Sequence, residues 1–163
     1  MSNRTIVLVS DTVTELSRVT ANDLADLLPL LRGYCDFYEV TPSDEALLAV
    51  SRELIADSEH EGIQLIARDE SGEAVGFATV YWSWDTLNAA RIGIMHDLFV
   101  APPARGTGVA DALIDACVNE CRGRRAARLV WQTARNNARA QRVYERAGAR
   151  REEWVDYWLS ARP

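Results

Sequence analysis

The chain contains, at residues 96–111, the stretch His-Asp-Leu-Phe-Val-Ala-Pro-Pro-Ala-Arg-Gly-Thr-Gly-Val-Ala-Asp. This pattern predicts a β-strand that ends at Val100, a turn rich in proline and glycine, and a helix that begins near Gly108. Gly106 and Gly108 lack a Cβ atom, so the backbone can turn sharply and bring its N–H groups close to a ligand. The helix start adds unpaired N–H groups and a partial positive charge. The stretch is therefore predicted to bind phosphate.

Two common phosphate-binding motifs do not fit this stretch. A P-loop requires Gly-x-x-x-x-Gly-Lys-Ser/Thr, and the chain contains no lysine. A dinucleotide-binding loop requires Gly-x-Gly-x-x-Gly in the first βαβ unit, but Asp111 stands at the third glycine and the loop lies two-thirds along the chain. An ordinary strand-to-helix turn therefore stays open as an alternative until the rest of the chain is considered.

Length and composition predict one soluble globular domain spanning residues 1–163. Hydrophobic residues make up 48% of the chain and charged residues 26%, which is typical of a protein with a packed core. No apolar run is long enough for a signal peptide or a membrane span, so a cytoplasmic location is expected. The three cysteines form no Cys-x-x-Cys pair and only two histidines are present, so we expect free thiols and no metal site.

Charge is distributed unevenly along the chain. Residues 1–100 carry a net charge of −11, and residues 101–163 carry +5, within a total of −6. This balance disfavours general nucleic-acid binding. Two differently solvated surfaces would explain the asymmetry. The functional alternative is an anionic cofactor on the C-terminal half and a cationic second substrate near the acidic half.

The hydrophobic pattern predicts an α/β fold with a mixed central sheet of six to seven strands and about four helices on its two faces. The element order is β-α-α-β-β-β-α-β-α-β, with two short N-terminal strands counted together. Strands are predicted at 5–10, 13–19, 63–68, 74–84, 91–100, 129–133 and 154–160, and helices from 24 to about Gly33, from Thr41, at 108–121 and at 137–147. The strand at 129–133 is expected to be central.

A second motif lies on the last predicted helix, where residues 137–149 read Asn-Ala-Arg-Ala-Gln-Arg-Val-Tyr-Glu-Arg-Ala-Gly-Ala. Together with Arg105-Gly106-Thr107-Gly108-Val109-Ala110, it resembles the two signatures of the GNAT superfamily of N-acetyltransferases, in the right order and at the right spacing. The resemblance covers nearly the whole chain and implies the GNAT fold. The Leu-aromatic-Val strand end and the late aromatic residues look most like the diamine and polyamine acetyltransferase branch.

The resemblance implies that acetyl-CoA is the co-substrate. Its pantetheine arm would lie along the backbone of Leu98, Phe99 and Val100 between two strands that splay apart. The pyrophosphate would bind the loop, with Arg105 pairing with a phosphate. The implied cofactor-binding residues are Leu98, Phe99, Val100, Arg105, Gly106, Thr107, Gly108, Val109, Ala110 and Asn137. For Asn137, an ordinary helix N-cap is the structural alternative.

Acetyl transfer to an amine needs a base and an acid. An amine with a pKa of about 10.4 is neutral only about once in 2,500 at pH 7, a cost of roughly 4.6 kcal/mol. Tyr144 matches the general acid of the family, or else anchors its helix in the core. Asp97 is the favoured base or ammonium ligand, with His96 or a water chain as alternatives. Strand alternation puts His96 and Asp97 on opposite faces unless a bulge intervenes.

Acceptor recognition is predicted from aromatic rings and acids, which suit a cation. The predicted substrate-binding residues are Tyr34, Asp36, Trp84, Asp97 and Glu153. The sequence thus predicts transfer of acetyl directly to a small cationic amine such as a diamine, polyamine or aminoglycoside. The alternatives are acetylation of a protein or peptide N-terminus or lysine, and a non-catalytic acyl-CoA-binding regulatory module. A homodimer is expected from the resemblance.

Overall fold

The computed structural model describes residues 5–9 and 12–161, so Ser10 of the predicted first strand lies outside the described residues. The chain divides into two compact units, one ending at Gln132 and the other beginning at Thr133. Within the described residues, no helix is both long and apolar enough to cross a membrane.

The first unit contains a six-stranded sheet in which the strands lie side by side in chain order. All neighbouring pairs are antiparallel except the last, β5 and β6, which is parallel. The strands are β1 (Thr5–Val9), β2 (Thr12–Arg18), β3 (Gly62–Arg68), β4 (Ala74–Asp85), β5 (Ala90–Val100) and β6 (Arg128–Val130). The mixed α/β class and the predicted strand count are confirmed.

Three helices pack on this sheet: α1 (Leu24–Phe37), α2 (Asp44–Ala56) and α3 (Val109–Gly123). Side chains alternate between the two faces of β4, and this alternation separates the helices. Phe77 joins the apolar core formed with α1, whereas a Cβ atom at neighbouring Gly76 would meet Val109 and Leu113 of α3. Helices therefore cover both faces of the sheet, as the sequence predicted.

Helix α1 is longer than predicted. The sequence predicted its end near Gly33, because glycine commonly follows the last helical turn, but the helix continues to Phe37. Gly33 serves a packing role instead, because a Cβ atom there would lie 2.7 Å from Cζ of Phe99. The extra turn places Tyr34 against the sheet, in edge contact with Phe77 and Phe99.

The predictions for the strands after α3 were wrong in two respects. The strand predicted at 129–133 is reduced to Arg128–Val130, and among the described residues it lies at the edge of the sheet, with β5 as its one neighbour. Residues 150–161, predicted to hold a final strand at 154–160, have no regular structure and are exposed. Aromatic and β-branched content favours a strand, but such a segment is a strand only where a neighbour supplies its hydrogen bonds.

In residues 133–161, the described part of the second unit, the chain forms one helix, α4 (Ala138–Arg146), within the range predicted for it. Asn137 caps its start, and its side-chain oxygen accepts a hydrogen bond from the Ala140 amide at 3.1 Å. Gly148 has φ +83°, a left-handed conformation that glycine adopts readily just after a helix.

Candidate active site

A β-bulge in β5 brings two polar side chains together at the middle of the sheet. Asp97 pairs with Thr79 of β4 and Met95 pairs with Val80, so His96 is the extra residue in the register. A bulge breaks the strict alternation of side chains between faces. As a result, the Nδ1 atom of His96 lies 3.2 Å from Oδ1 of Asp97. The sequence allowed this juxtaposition only if a bulge intervened, and the structure contains that bulge.

The side chain of Asp97 is only 16% exposed, and we refer to Asp97, Tyr34, Tyr81 and His96 together as the Asp97 pocket. The negative charge of Asp97 acts on two phenols, Tyr34 of α1 and Tyr81 of β4. Burial, and then the negative charge of Asp97, raises the pKa of Tyr34 well above its ordinary value. The same two causes raise the pKa of Tyr81. Both phenols therefore stay protonated at neutral pH and face the carboxylate as neutral hydroxyl groups.

His96 lies at the mouth of this pocket, with 66% of its side chain exposed. Its ring contacts Tyr81 edge-on, with 5.5 Å between the ring centroids. Among the described residues, His96 is the ionisable partner within salt-bridge distance of Asp97. The pocket therefore combines a largely buried carboxylate, an accessible imidazole and two neutral phenols.

The end of helix α1 adds acids and aromatic rings beside this pocket. The ring of Tyr38 packs against Tyr34 with 5.1 Å between centroids. Burial raises the pKa of Cys35, the positive charge of Arg32 lowers it, and the negative charges of Asp36 and Asp97 raise it. Glu39 follows the helix with φ +56°, a conformation that costs a residue other than glycine about 1 kcal/mol or more. The region is acidic and aromatic, which suits a cation.

Directly after Asp97, strand β5 presents an open edge. Its pairing with β6 extends only from Ile92 to Ile94, so in the described chain the segment beyond has no strand on that side. The Ala101 amide donates to the Val75 carbonyl of β4 at 2.9 Å. Because antiparallel bonding alternates along a strand, Leu98 and Val100 direct their N–H and C=O groups to the open edge. That edge can accept an extended ligand as an added strand.

Arg105 occupies part of this edge. Its Nε atom donates to the carbonyl oxygen of Val100 at 2.9 Å, and its guanidinium carbon lies 5.7 Å from the centroid of the Phe99 ring. The side chain thus folds back on β5. The sequence-based role of Arg105, pairing with a phosphate, stays a prediction.

The loop between β5 and α3 makes a sharp turn at its glycines, as the sequence predicted. Gly106 and Gly108 have φ +87° and +92°, left-handed values that other residues rarely adopt. The Thr107 hydroxyl donates to the Ala104 carbonyl at 2.7 Å and braces the turn. Gly108 is the N-cap of α3 and carries no side chain that could cap the helix. The N–H groups of the first turn are thereby open to an anion.

Trp84 is not brought to this pocket. It pairs with Arg91, whose guanidinium carbon lies 4.9 Å from the Trp84 ring, whereas Asp97 pairs with Thr79. Five residues of strand separate the two positions, or about 17 Å. The fold therefore does not support the predicted contact between Trp84 and the acceptor.

Three of the predicted site residues belong to the second unit. Asn137 caps α4, Tyr144 is half-buried on the same helix, and Glu153 lies in the exposed segment after it. Their predicted roles toward cofactor and acceptor stay predictions.

The sequence did not indicate Tyr81, whose ring contacts His96 and whose pKa is raised by burial and by the charge of Asp97. The signal was present in the hairpin of β4 and β5, because aligning the two strands places residues near 80 opposite residues near 96. Without knowledge of the bulge, however, the register on either side of it was not fixed.

The fold and this site together define an acetyltransferase. A family model described as "Acetyltransferase (GNAT) family" matches residues 27–149, and the chain belongs to this family. Members use acetyl-CoA, and the open edge of β5 and the positive-φ glycines of the loop fit that molecule as strand partner and phosphate cradle. The assignment to the family and to acetyl-CoA agrees with the sequence-based resemblance.

Individual relatives point to the same activity. An uncharacterized N-acetyltransferase, YhfO of Bacillus subtilis strain 168, is 30% identical over 146 residues, which cover 89% of this chain and 96% of that protein. The structure of the aminoglycoside N-acetyltransferase AAC(6')-Iy in complex with CoA shares the fold with TM-score 0.80 and 22% identity, covering 92% of this chain and 96% of that one. A ribosomal-protein-alanine N-acetyltransferase from Brucella melitensis biovar Abortus 2308 has TM-score 0.72 and 25% identity, covering 90% and 98%. This protein is therefore an acetyl-CoA-dependent N-acetyltransferase.

Proposed function

We propose that this enzyme transfers acetyl directly to a primary amine of a small cationic acceptor, a class that includes diamines, polyamines and aminoglycosides. The observation that carries the proposal is the Asp97 carboxylate, 16% exposed, surrounded by Tyr34, Tyr81 and His96 and one residue from the open edge of β5. An ammonium group entering this pocket meets a negative charge and aromatic faces, both of which attract cations.

The cofactor side of the proposal rests on backbone groups. The edge groups of Leu98 and Val100 would hold the pantetheine arm, and the amides that follow Gly106 and Gly108 would hold the pyrophosphate. Arg105 would leave Val100 and pair with a phosphate. When bound, acetyl-CoA supplies a thioester whose carbonyl carbon reacts with the amine.

The acceptor side rests on charge and shape. Asp36 and Glu39 are exposed at the end of α1, the helix that brings Tyr34 to Asp97, and they would hold a second ammonium group beyond the reacting one. The aminoglycoside enzyme that shares the fold is named for a polycationic acceptor. That name concerns the other protein, but it supports the same chemical class here.

Acetyl transfer needs one group that accepts a proton from the amine and one that donates a proton to the sulfur. The His96 and Asp97 pair would take the proton that the attacking amine loses. Tyr144 would donate a proton to the departing sulfur, since a phenol of pKa near 10 can protonate a thiolate of parent pKa near 8.5 at the moment of cleavage. The three cysteines are buried, and the sequence-based expectation of direct transfer without an acyl-enzyme is retained in the proposal.

The test is acetyl-CoA-dependent thiol release across diamines, polyamines, aminoglycosides, amino acids and short peptides. We expect turnover to concentrate in the polycationic amines. Tyr144→Phe should lower kcat by about 10²-fold or more at unchanged CoA affinity, because general acid catalysis contributes factors of this order. Equal turnover on amino acids and on polycationic amines would contradict a polycationic acceptor. An unaffected Tyr144→Phe variant would contradict the assignment of Tyr144 as the general acid.

A second candidate acceptor is a protein or peptide amine. It is favoured by exposed apolar side chains beside the acids, since Phe37 is 59% and Val40 is 50% exposed. The ribosomal-protein-alanine enzyme of similar structure is named for such an acceptor. Acetylation of short peptides with kcat/KM above that of every small amine in the same panel would favour this candidate. Homodimerisation, a cytoplasmic location and a single-domain organisation stay predictions.

A further inference from the structure

The two candidate bases at the bulge, His96 and Asp97, differ in their exposure to solvent. The Asp97 side chain is largely enclosed, whereas the His96 ring is mostly exposed. The two residues are joined through Nδ1 of the ring and Oδ1 of the carboxylate at 3.2 Å. An amine arriving from solvent therefore reaches the imidazole before the carboxylate.

This contact sets the position of the proton on the neutral imidazole ring. A carboxylate can only accept a hydrogen bond, so Nδ1 carries the hydrogen and Nε2 keeps its lone pair. Free imidazole side chains in water prefer the opposite tautomer, with the hydrogen on Nε2. The Tyr81 ring packs edge-on against His96, with 5.5 Å between the ring centroids.

The titratable groups that interact with Asp97 or with its neighbours come from α1 and β4. From α1 come Arg32, Tyr34, Cys35, Asp36 and Tyr38, and from β4 comes Tyr81. Arg32 is the cation among them, and its guanidinium is paired with Asp44. In the described chain, no arginine lies within salt-bridge distance of Asp97, so its charge remains available to an imidazolium.

We propose that His96 is the catalytic base and that Asp97 is a positioning residue that acts through it. This assignment rests on the proposed function and gives the two residues of that site different roles. Nε2 of His96 takes the proton from the attacking nitrogen as the C–N bond forms and the C–S bond breaks. The sulfur leaves with the electron pair of that bond and receives a proton from the acid. The imidazolium, stabilised by Asp97, then releases its proton to water.

The first test observes the ring itself, without substrate. Long-range ¹H–¹⁵N correlation spectra of labelled enzyme at about pH 8.5, where an ordinary imidazole is neutral, report which nitrogen carries the hydrogen. We expect the Nδ1–H form for His96 and a shift toward the Nε2–H form in Asp97→Ala. His60 is the internal control, because its Nδ1 lies 2.9 Å from Asp57 and is untouched by the substitution. His60→Gln assigns the signals.

The second test uses kinetics with any amine that is acetylated. His96→Gln should lower kcat by about 10² to 10⁴-fold at unchanged KM for acetyl-CoA. At saturating amine, adding Asp97→Ala to His96→Gln should change kcat less than about threefold, because the carboxylate then has no ring to position. Its attraction for the ammonium group should show as a higher KM for the amine. Multiplicative effects of the two substitutions, or an Nε2–H ring in the wild type, would overturn the assignment.

The two tests separate the inference from the proposed function. If His96→Gln acetylates a cationic amine as fast as wild type, the base assignment is wrong while the function stands. If the ring has the Nδ1–H form and CoA binds, but no amine on the panel is acetylated, the acceptor proposal fails while the pairing of His96 with Asp97 stands.

Discussion

Gly33 is the residue whose substitution tests the packing of α1 on the active-site strand most sharply. The perturbation is Gly33→Ala, one methyl group in the interior of the helix. That carbon would lie 2.7 Å from Cζ and 3.1 Å from Cε1 of Phe99, where carbon atoms normally approach to about 3.5–4.0 Å. Phe99 is 8% exposed and packs against Phe77 and Tyr34, so its ring has little freedom to move aside.

The expected free energy follows from two opposing effects. Overpacking a filled core costs about 1–3 kcal/mol. Replacing glycine by alanine inside a helix gains up to about 1 kcal/mol. We therefore expect a net loss of about 1 kcal/mol, or about 2–4 °C in Tm for a chain of this size.

The assay is thermal and urea unfolding followed by circular dichroism, with Gly123→Ala as the matched control. Gly123 is also helical, but a Cβ atom there meets nothing within 4 Å, so this variant should be stabilised by up to about 1 kcal/mol. Phe99→Leu should rescue part of the loss in Gly33→Ala, because it shortens the clashing ring. If Gly33→Ala proves as stable as Gly123→Ala, the close approach of α1 to Phe99 is wrong.

Two further predictions concern the glycines of the loop before α3 and the phenol of Tyr34. Alanine at position 106 or 108 disfavours φ near +90° by about 1–2 kcal/mol, so the substituted loop should leave the binding conformation when CoA is absent. Calorimetry should therefore find CoA binding weakened about 5–30-fold in Gly106→Ala and Gly108→Ala. Gly72→Ala, with φ +85° in the turn between β3 and β4, should leave CoA binding unchanged. Burial and the charge of Asp97 raise the pKa of Tyr34. The folded protein therefore holds the phenol proton more tightly than the unfolded chain does. The resulting stabilisation is complete below about pH 10 and is lost as the pH rises through the higher folded-state pKa. The free energy of unfolding should therefore fall less between pH 9 and pH 11 in Tyr34→Phe than in wild type, and equal falls would contradict this; the absence of lysine keeps that range free of lysine titration.

Local sequence patterns predicted most of the fold. The glycines at 106 and 108 have the left-handed φ values that the loop motif required, and the cap at Asn137 begins a helix at the expected residue. These features depend on interactions within a few residues, so the sequence records them directly.

Features that depend on distant contacts were harder to predict. Gly33 indicates a helix end when its neighbours alone are considered, but Phe99, far along the chain, gives it an interior role. The bulge at His96 depends on how β5 pairs with β4, and sequence alternation gives no sign of an extra residue. The segment 154–160 has strand-like composition without a strand partner, so propensity alone was insufficient.

The measurement that tests the central claim most directly compares two acceptors of equal length, a diamine and the amino alcohol in which a hydroxyl replaces the far ammonium group. The acids at Asp36, Glu39 and Asp97 predict a kcat/KM at least about tenfold higher for the diamine, since a charged hydrogen bond contributes about 1.5–3 kcal/mol. Asp36→Asn should reduce that preference. Equal kcat/KM for both acceptors, or faster reaction of the amino alcohol, would contradict a site built for cationic amines.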